Sequence, residues 1–233
     1  MDPPTTRQPV FLVHGLAGAD HSWWALRSAL AAAGFETVIA LRHRAFRVDI
    51  PGVADWLVDH AVRAMTMTGS TGVHLIGHSM GGLVVRTAVQ TGGLADQVTT
   101  AVTIATPHRG TGFAHLLPGP AARQLRPDSE FLAWLGDQPV DQHARWVNIH
   151  AVDDRVVATS SAGWSHPQVG PAARPPHIEQ VLQDGVGHRS ILRHPRIVGQ
   201  VISALAAGEA AASFRSTAGR SEVTASQELS MAG

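Results

Sequence analysis

Val73-His-Leu-Ile-Gly77-His78-Ser79-Met80-Gly81-Gly82-Leu83-Val-Val-Arg86 is the stretch that decides the fold. An apolar strand-like run meets a helical pattern through Gly-x-Ser-x-Gly, with no spacer between them. A serine on so sharp a strand-to-helix turn needs a strained backbone, and neighbours without Cβ atoms let the turn pass adjacent strands. The turn lifts the hydroxyl over the sheet. The helix N-terminus brings unpaired N–H groups and partial positive charge to the place where an oxyanion would form, with the Met80 amide as the natural donor. A phosphate-binding loop is a competing reading of these glycines, but the Lys and Ser/Thr pair of such a loop is missing. The plainest alternative is a tight glycine turn without chemistry, and it is weighed by whether the chain supplies partners for Ser79.

A serine hydroxyl is a poor nucleophile near neutrality; it needs a histidine to take its proton and a carboxylate to hold that imidazole. In strand–turn–helix sites of this kind the chain order is Ser, then Asp or Glu, then His. Val147-Asn-Ile-His-Ala-Val-Asp153-Asp154-Arg-Val-Val157 puts two acids just beyond a strand-like run, where open α/β sheets build their sites, and either serves. Of fourteen histidines, most read as surface or packing residues. His188 differs, standing in Gly185-Val-Gly187-His188-Arg-Ser, a glycine-flanked loop between the last strand-like run and the last helix. His166, His177 and His194 are lesser alternatives for the base. His78 reads as a supporting residue that points away from the reacting centre. A second oxyanion donor comes from Val10-Phe-Leu-Val-His14-Gly15-Leu16-Ala-Gly18, a glycine loop after the first strand, which brings the Leu16 amide to face Met80. His14 reads as structural, shaping that loop through a side-chain hydrogen bond.

Working outward, short runs rich in valine and isoleucine recur at Val10–Val13, Thr37–Leu41, Val73–Ile76, Ala101–Ala105, Trp146–Ala151 and Ile178–Leu182. Most are continuous rather than alternating, as befits parallel strands buried on both faces. Helical spacing lies between them, over Ser22–Ala33 with Gly34 as its stop and over Pro51–Thr68 with Gly69 as its stop. A last helix opens at Pro195 and ends at Gly208. The alternation predicts a parallel sheet covered by crossover helices. Residues 1–9 read as an N-terminal extension, 10–207 as one catalytic domain and 208–233 as a disordered tail, because its small residues cannot offset their ordering entropy. Thr106–Gly119 and Thr159–Pro176 are long irregular loops.

The 233 residues suit a single core, and the balance of 44% apolar to 15% charged residues favours compact burial. Eighteen basic residues against eighteen acidic ones leave no electrostatic footprint for nucleic acid or an anionic membrane surface. Without cysteine there is no disulfide, thiolate zinc site or cysteine nucleophile. No run reads as a transmembrane span. The N-terminus lacks the basic and apolar regions of a secretory signal, which points to a cytoplasmic protein. No H-E-x-x-H or comparable metal-ligand spacing appears.

These residues together resemble the α/β-hydrolase superfamily and, within it, the bacterial triacylglycerol lipases and related serine esterases. The resemblance is carried by HGLAG at 14–18, GHSMGGLV at 77–84, ATPHRGT at 105–111, DDRVV at 153–157 and GVGHRSILRHP at 185–195. It implies an α/β-hydrolase fold with a minimal six-stranded, mostly parallel sheet in the order 2-1-3-4-5-6 and helices on both faces. It also implies Asp154 as the acid, since Asp-x-x-Val with the acid first is the family pattern, and no metal or organic cofactor. Dehalogenases and epoxide hydrolases of this fold carry an aspartate at the nucleophile turn, so Ser79 removes them.

The expected reaction is hydrolysis of a small-molecule carboxylic ester, with an acyl lipid among the substrates, through Ser79, His188 and Asp154. A thioesterase or acyltransferase would use the same machinery, and a binding module that keeps the fold without activity is the non-enzymatic alternative. The region from Thr111 to Trp146 is expected to form short helices over the site. It offers Phe113, Leu116, Leu117, Phe131, Trp134 and Leu135 as lining for an acyl pocket; Phe113 and Leu116, with Trp23, are the first candidates, while Phe131, Trp134 and Leu135 read first as core packing.

Overall fold

In a computed structural model, described over residues 7–231 except 17, 19, 92, 95, 141–142 and 165–177, six parallel strands form one sheet. They are β1 (Val10–Val13), β2 (Val38–Leu41), β3 (Val73–His78), β4 (Val98–Ile104), β5 (Arg145–Ala151) and β6 (Ile178–Gln183). Their order is β2-β1-β3-β4-β5-β6, as the resemblance implies. The α helices are α1 (Trp24–Ala32), α2 (Ile50–Thr68), α3 (Met80–Gln90), α4 (Pro120–Gln124), α5 (Glu130–Asp137), α6 (Thr159–Ala162) and α7 (Pro195–Met231).

The strands alternate between two apolar layers. Phe11, Val13, Leu75, Ala101 and Trp146 face one layer with α2 and α3. Val10, Leu12, Ile76, Val102 and Val147 face the other with α1 and α7. Both faces of the inner strands are therefore dry, which is why they read as unbroken apolar runs. The edge strands β2 and β6 are only partly buried.

Local signals set the helix ends. Asp49 caps α2 by accepting from the Gly52 amide at 3.0 Å, and Gly69 ends it in the left-handed region at φ 68°. A 3-10 turn over Asp20–Trp23 leads into α1. It buries Trp23 completely and leaves Trp24 on the surface, 61% exposed.

The last helix runs past the stop that Gly208 suggests. Instead of stopping at Gly208, α7 continues to Met231, because the alanine-rich stretch beyond Pro195 contains no proline to break it. Gly208 marks a close approach rather than an end, since a Cβ there would lie 2.1 Å from Thr100 Oγ1. One residue on, Glu209 pairs with Arg7 at 2.8 Å and accepts from the Gln8 amide at 3.0 Å, tying α7 to the start of the described chain. By length and composition the Pro195–Arg215 stretch, mean hydropathy 1.4, is apolar enough to cross a bilayer, which interruptions such as Arg196, Gln200 and Glu209 conceal in a run-by-run reading. Its buried residues Ile197, Val201, Ala204 and Leu205 pack in the layer over β4 and β5.

Candidate active site

The strand order reverses between β1 and β3, which leaves a crevice at their C-terminal ends. Ser79 stands there between β3 and α3, at φ 57° and ψ −125°. Such a backbone costs about 1–3 kcal/mol and persists only where its surroundings enforce it. Here the Ser79 amide donates to the Ile104 carbonyl at 2.8 Å, and the Ser79 carbonyl accepts from the Gly82 amide at 3.0 Å. The glycines are required by close approach. A Cβ on Gly77 would meet the Gly81 carbonyl oxygen at 2.3 Å, one on Gly81 the Val13 oxygen at 2.0 Å, and one on Gly82 Thr106 Oγ1 at 1.9 Å.

His188 Nε2 lies 3.0 Å from Ser79 Oγ, and His188 Nδ1 lies 2.7 Å from Asp154 Oδ2. The other carboxylate oxygen of Asp154 accepts from the Val156 and Val157 amides at 2.8 and 3.0 Å. Burial pushes the Asp154 carboxyl up, but the His188 hydrogen bond and these two amides outweigh it and hold the group below its ordinary range. The Asp154 side chain is 1% exposed and that of His188 13%. Asp153 goes elsewhere: its Oδ2 accepts from the Gly185 amide at 2.8 Å, fastening the base of the His188 loop.

The loop after β1 comes against the nucleophile. A Cβ on Gly15 would sit 2.7 Å from Ser79 Cβ, so only glycine lets Leu16 follow so closely, and Leu16 lines the same cavity as Ser79. His14 donates from Nδ1 to the Gly15 carbonyl at 2.8 Å, in keeping with its structural reading. Its ring stacks on His43 at 4.0 Å, and burial, with His14 beside it, pushes His43 down to about 4. His194 lies at the start of α7, where its amide donates to Ile191; His166 and His177 fall outside the described residues.

A cavity of about 300 Å³ opens beside Ser79 and His188. Trp23 and Phe113 line it. Leu116 does not; it lines a shallow depression beside Asp154 and is 77% exposed. Leu117 takes its place, for a reason local to the Gly112–Leu116 turn. The turn ends at Leu116, and Leu117 leaves it in extended backbone at φ −114° to line the cavity with buried Ala114, while Leu116 stays outside. Phe131, Trp134 and Leu135 line no part of this cavity. Leu135 is fully buried and Phe131 packs against the core.

The structure also assembles a polar cluster that motif reading missed. Arg86 of α3 lies over Trp164 at 4.3 Å, with its Nη1 3.4 Å from His108, and burial pushes it down to about 9. His108 stacks on Trp164 and contacts Thr103 at 3.2 Å and Asn148 at 3.3 Å. These residues come from five separate segments, and no single motif joins them. Arg189 is a further charged residue in the cavity lining. Among the described residues no group of three or more His, Asp and Glu is placed to hold a metal ion.

Residues 8–177 match the family model described as alpha/beta hydrolase fold. The chain belongs to this family. Two curated relatives, both named triacylglycerol lipase, are each 39% identical over 117 residues, or 47% of this α/β-hydrolase. The matched stretch covers 36% of the relative from Pseudarthrobacter phenanthrenivorans and 32% of that from Burkholderia plantarii, so the chain spans about a third of their length. Among solved structures, the mature lipase BlEst2 of Bacillus licheniformis superposes at a TM-score of 0.70 with 17% identity, covering 87% of this chain and 94% of that one. That likeness shows the shared fold.

Proposed function

We propose that this α/β-hydrolase cleaves carboxylic esters by acyl transfer, with Ser79 as nucleophile, His188 as base and Asp154 as the residue that orients it. The observation that carries the reading is the Ser79–His188–Asp154 hydrogen-bonded line, 3.0 and 2.7 Å long, at the edge of an apolar cavity. Ser79 Oγ attacks the ester carbonyl as its proton passes to His188 Nε2. Asp154 accepts from Nδ1 and stabilises the imidazolium. The Leu16 and Met80 amides hold the oxyanion, a reading supported by the close approach of Gly15 to Ser79 and by the position of Met80 at the first turn of α3. The intermediate then expels the alcohol, protonated by His188, and leaves an acyl-enzyme. Water attacks that ester, gives its proton to His188 and releases the acid with Ser79 restored.

The cavity lining of Leu16, Trp23, Phe113, Ala114, Leu117 and Leu125 suits an apolar acyl chain, and the two lipase relatives support an acyl lipid as substrate. The test is hydrolysis of p-nitrophenyl esters from acetate to laurate, run beside coenzyme A thioesters and beside reactions containing an alcohol acceptor. The proposal expects the oxygen esters to be turned over fastest. Faster thioester cleavage, or transfer to the alcohol in preference to water, would replace it with the corresponding thioesterase or acyltransferase.

A further inference from the structure

We propose that His78 is a positioning residue for the base: by donating its Nε2–H to the backbone carbonyl of His188, it fixes the His188 loop over Ser79. The inference rests on the assignment of Ser79 and His188 as nucleophile and base.

His78 is the last residue of β3 and directly precedes Ser79, so both side chains leave the same turn. That turn is held by the Ser79 amide on Ile104 and by the glycine contacts below it, which gives the His78 ring a rigid root. The ring reaches across to the His188 carbonyl at 2.7 Å. A carbonyl only accepts, so His78 Nε2 carries the hydrogen. Nucleophile and base are therefore indexed to one another twice, once through their reacting atoms and once through backbone.

The rest of the loop explains why this bond matters. Gly185 is fastened by Asp153, and the Gly187 amide donates to Ser190 Oγ at 2.9 Å. Both anchors stop short of residue 188. The His78 bond is the one that acts on the main chain of the base itself among the described residues. Packing restrains the ring in turn, with ring centroids 4.8 Å from His188 and 6.4 Å from Trp23, which stands perpendicular to it.

The bond also requires a His78 that does not compete for the reacting proton. The ring is 6% exposed, and no hydrogen bond joins it to Ser79 Oγ among the described residues. Burial, reinforced by neighbouring His188, pushes it down to about 3; the His188 carbonyl and Asp154 oppose the shift and Arg189 adds to it. His78 thus stays neutral near pH 7, a fixed donor beside the base.

The experiment is steady-state hydrolysis of p-nitrophenyl butyrate, with fluorophosphonate labelling in parallel, for wild type, His78→Phe, His78→Gln and Ser79→Ala. Phenylalanine keeps the flat ring and loses the donor. It should lower kcat roughly tenfold to a hundredfold and leave KM within about twofold, since misplacing a catalytic group by an ångström costs that much. Labelling should slow in step with kcat, and glutamine, whose amide reaches the Nε2 position, should restore most of the loss. His78→Phe with wild-type kcat, or equal losses in His78→Phe and His78→Gln, would overturn the proposal. If His78→Phe is recovered unfolded, His78→Asn against His78→Gln carries the test, because asparagine places its amide near Nδ1; equal activity of the two would overturn it. A Ser79→Ala protein that stays active would instead contradict the functional reading.

Discussion

Asp153 and Asp154 are neighbours in sequence that fasten the same loop from different sides. Asp154 takes His188 Nδ1 at 2.7 Å, and Asp153 takes the Gly185 amide at 2.8 Å. One acid holds the imidazole and the other holds the peptide that carries it. Only the first lies in line with Ser79.

The two aspartates should therefore separate cleanly on substitution. Asp154→Asn removes the charge that stabilises the imidazolium and should lower kcat by about 10⁴-fold. Asp153→Asn keeps an oxygen to accept from Gly185 and should cost less than about tenfold. Steady-state kinetics on one p-nitrophenyl ester decides it; a mild Asp154→Asn beside a crippled Asp153→Asn would reverse the assignment.

Cavity lining can be checked against the sequence expectation that it replaced. Leu117→Trp fills space beside Ser79 and should lower laurate-ester hydrolysis by about tenfold or more relative to butyrate. Leu116→Trp sits outside and should leave that ratio within about twofold. The measurement is kcat/KM on the two esters. A ratio that moves with Leu116 and not with Leu117 would restore Leu116 to the site.

Acid should destabilise the protein earlier than carboxylate titration would. His43, His74, His78, His108 and His150 are all shifted below their ordinary value of 6.5, in each case first by burial. With the folded pKa below the unfolded one, the unfolded chain binds the proton first. Stability is thus complete above about pH 6.5 and falls as the pH drops toward the folded values, by up to about 1.4 kcal/mol per pH unit for each group. Urea midpoints measured from pH 8 to pH 5 should decline throughout the lower half of that range. A flat profile down to pH 5 would mean that these rings are not buried as described.

How far the sequence carries can be judged residue by residue. The turn around Ser79 was legible because strain and close approach leave few sequences that satisfy it, and Gly77, Gly81 and Gly82 each answer to a contact under 2.4 Å. The strands follow from continuous apolar runs, and their order from the resemblance. The fork between Asp153 and Asp154 is open on spacing alone, since both lie in the turn past β5; in the structure Asp154 bonds His188 and Asp153 bonds Gly185. Leu116 and Leu117 are indistinguishable as apolar neighbours in the sequence, and only the backbone at the end of the Gly112–Leu116 turn selects Leu117 for the cavity. Gly208 looks like a helix stop in the sequence, whereas its missing Cβ serves contact with Thr100. The Arg86–His108–Trp164 cluster was illegible because tertiary packing alone brings its segments together.

The most direct test is labelling with an active-site-directed fluorophosphonate, followed by peptide mapping, on wild type and Ser79→Ala with ester hydrolysis measured on the same samples. The account predicts one phosphonylated residue in wild type, Ser79, and in Ser79→Ala no label and hydrolysis reduced by about 10⁶-fold toward background. Label on another residue, or Ser79→Ala turning over ester at the wild-type rate, would contradict it.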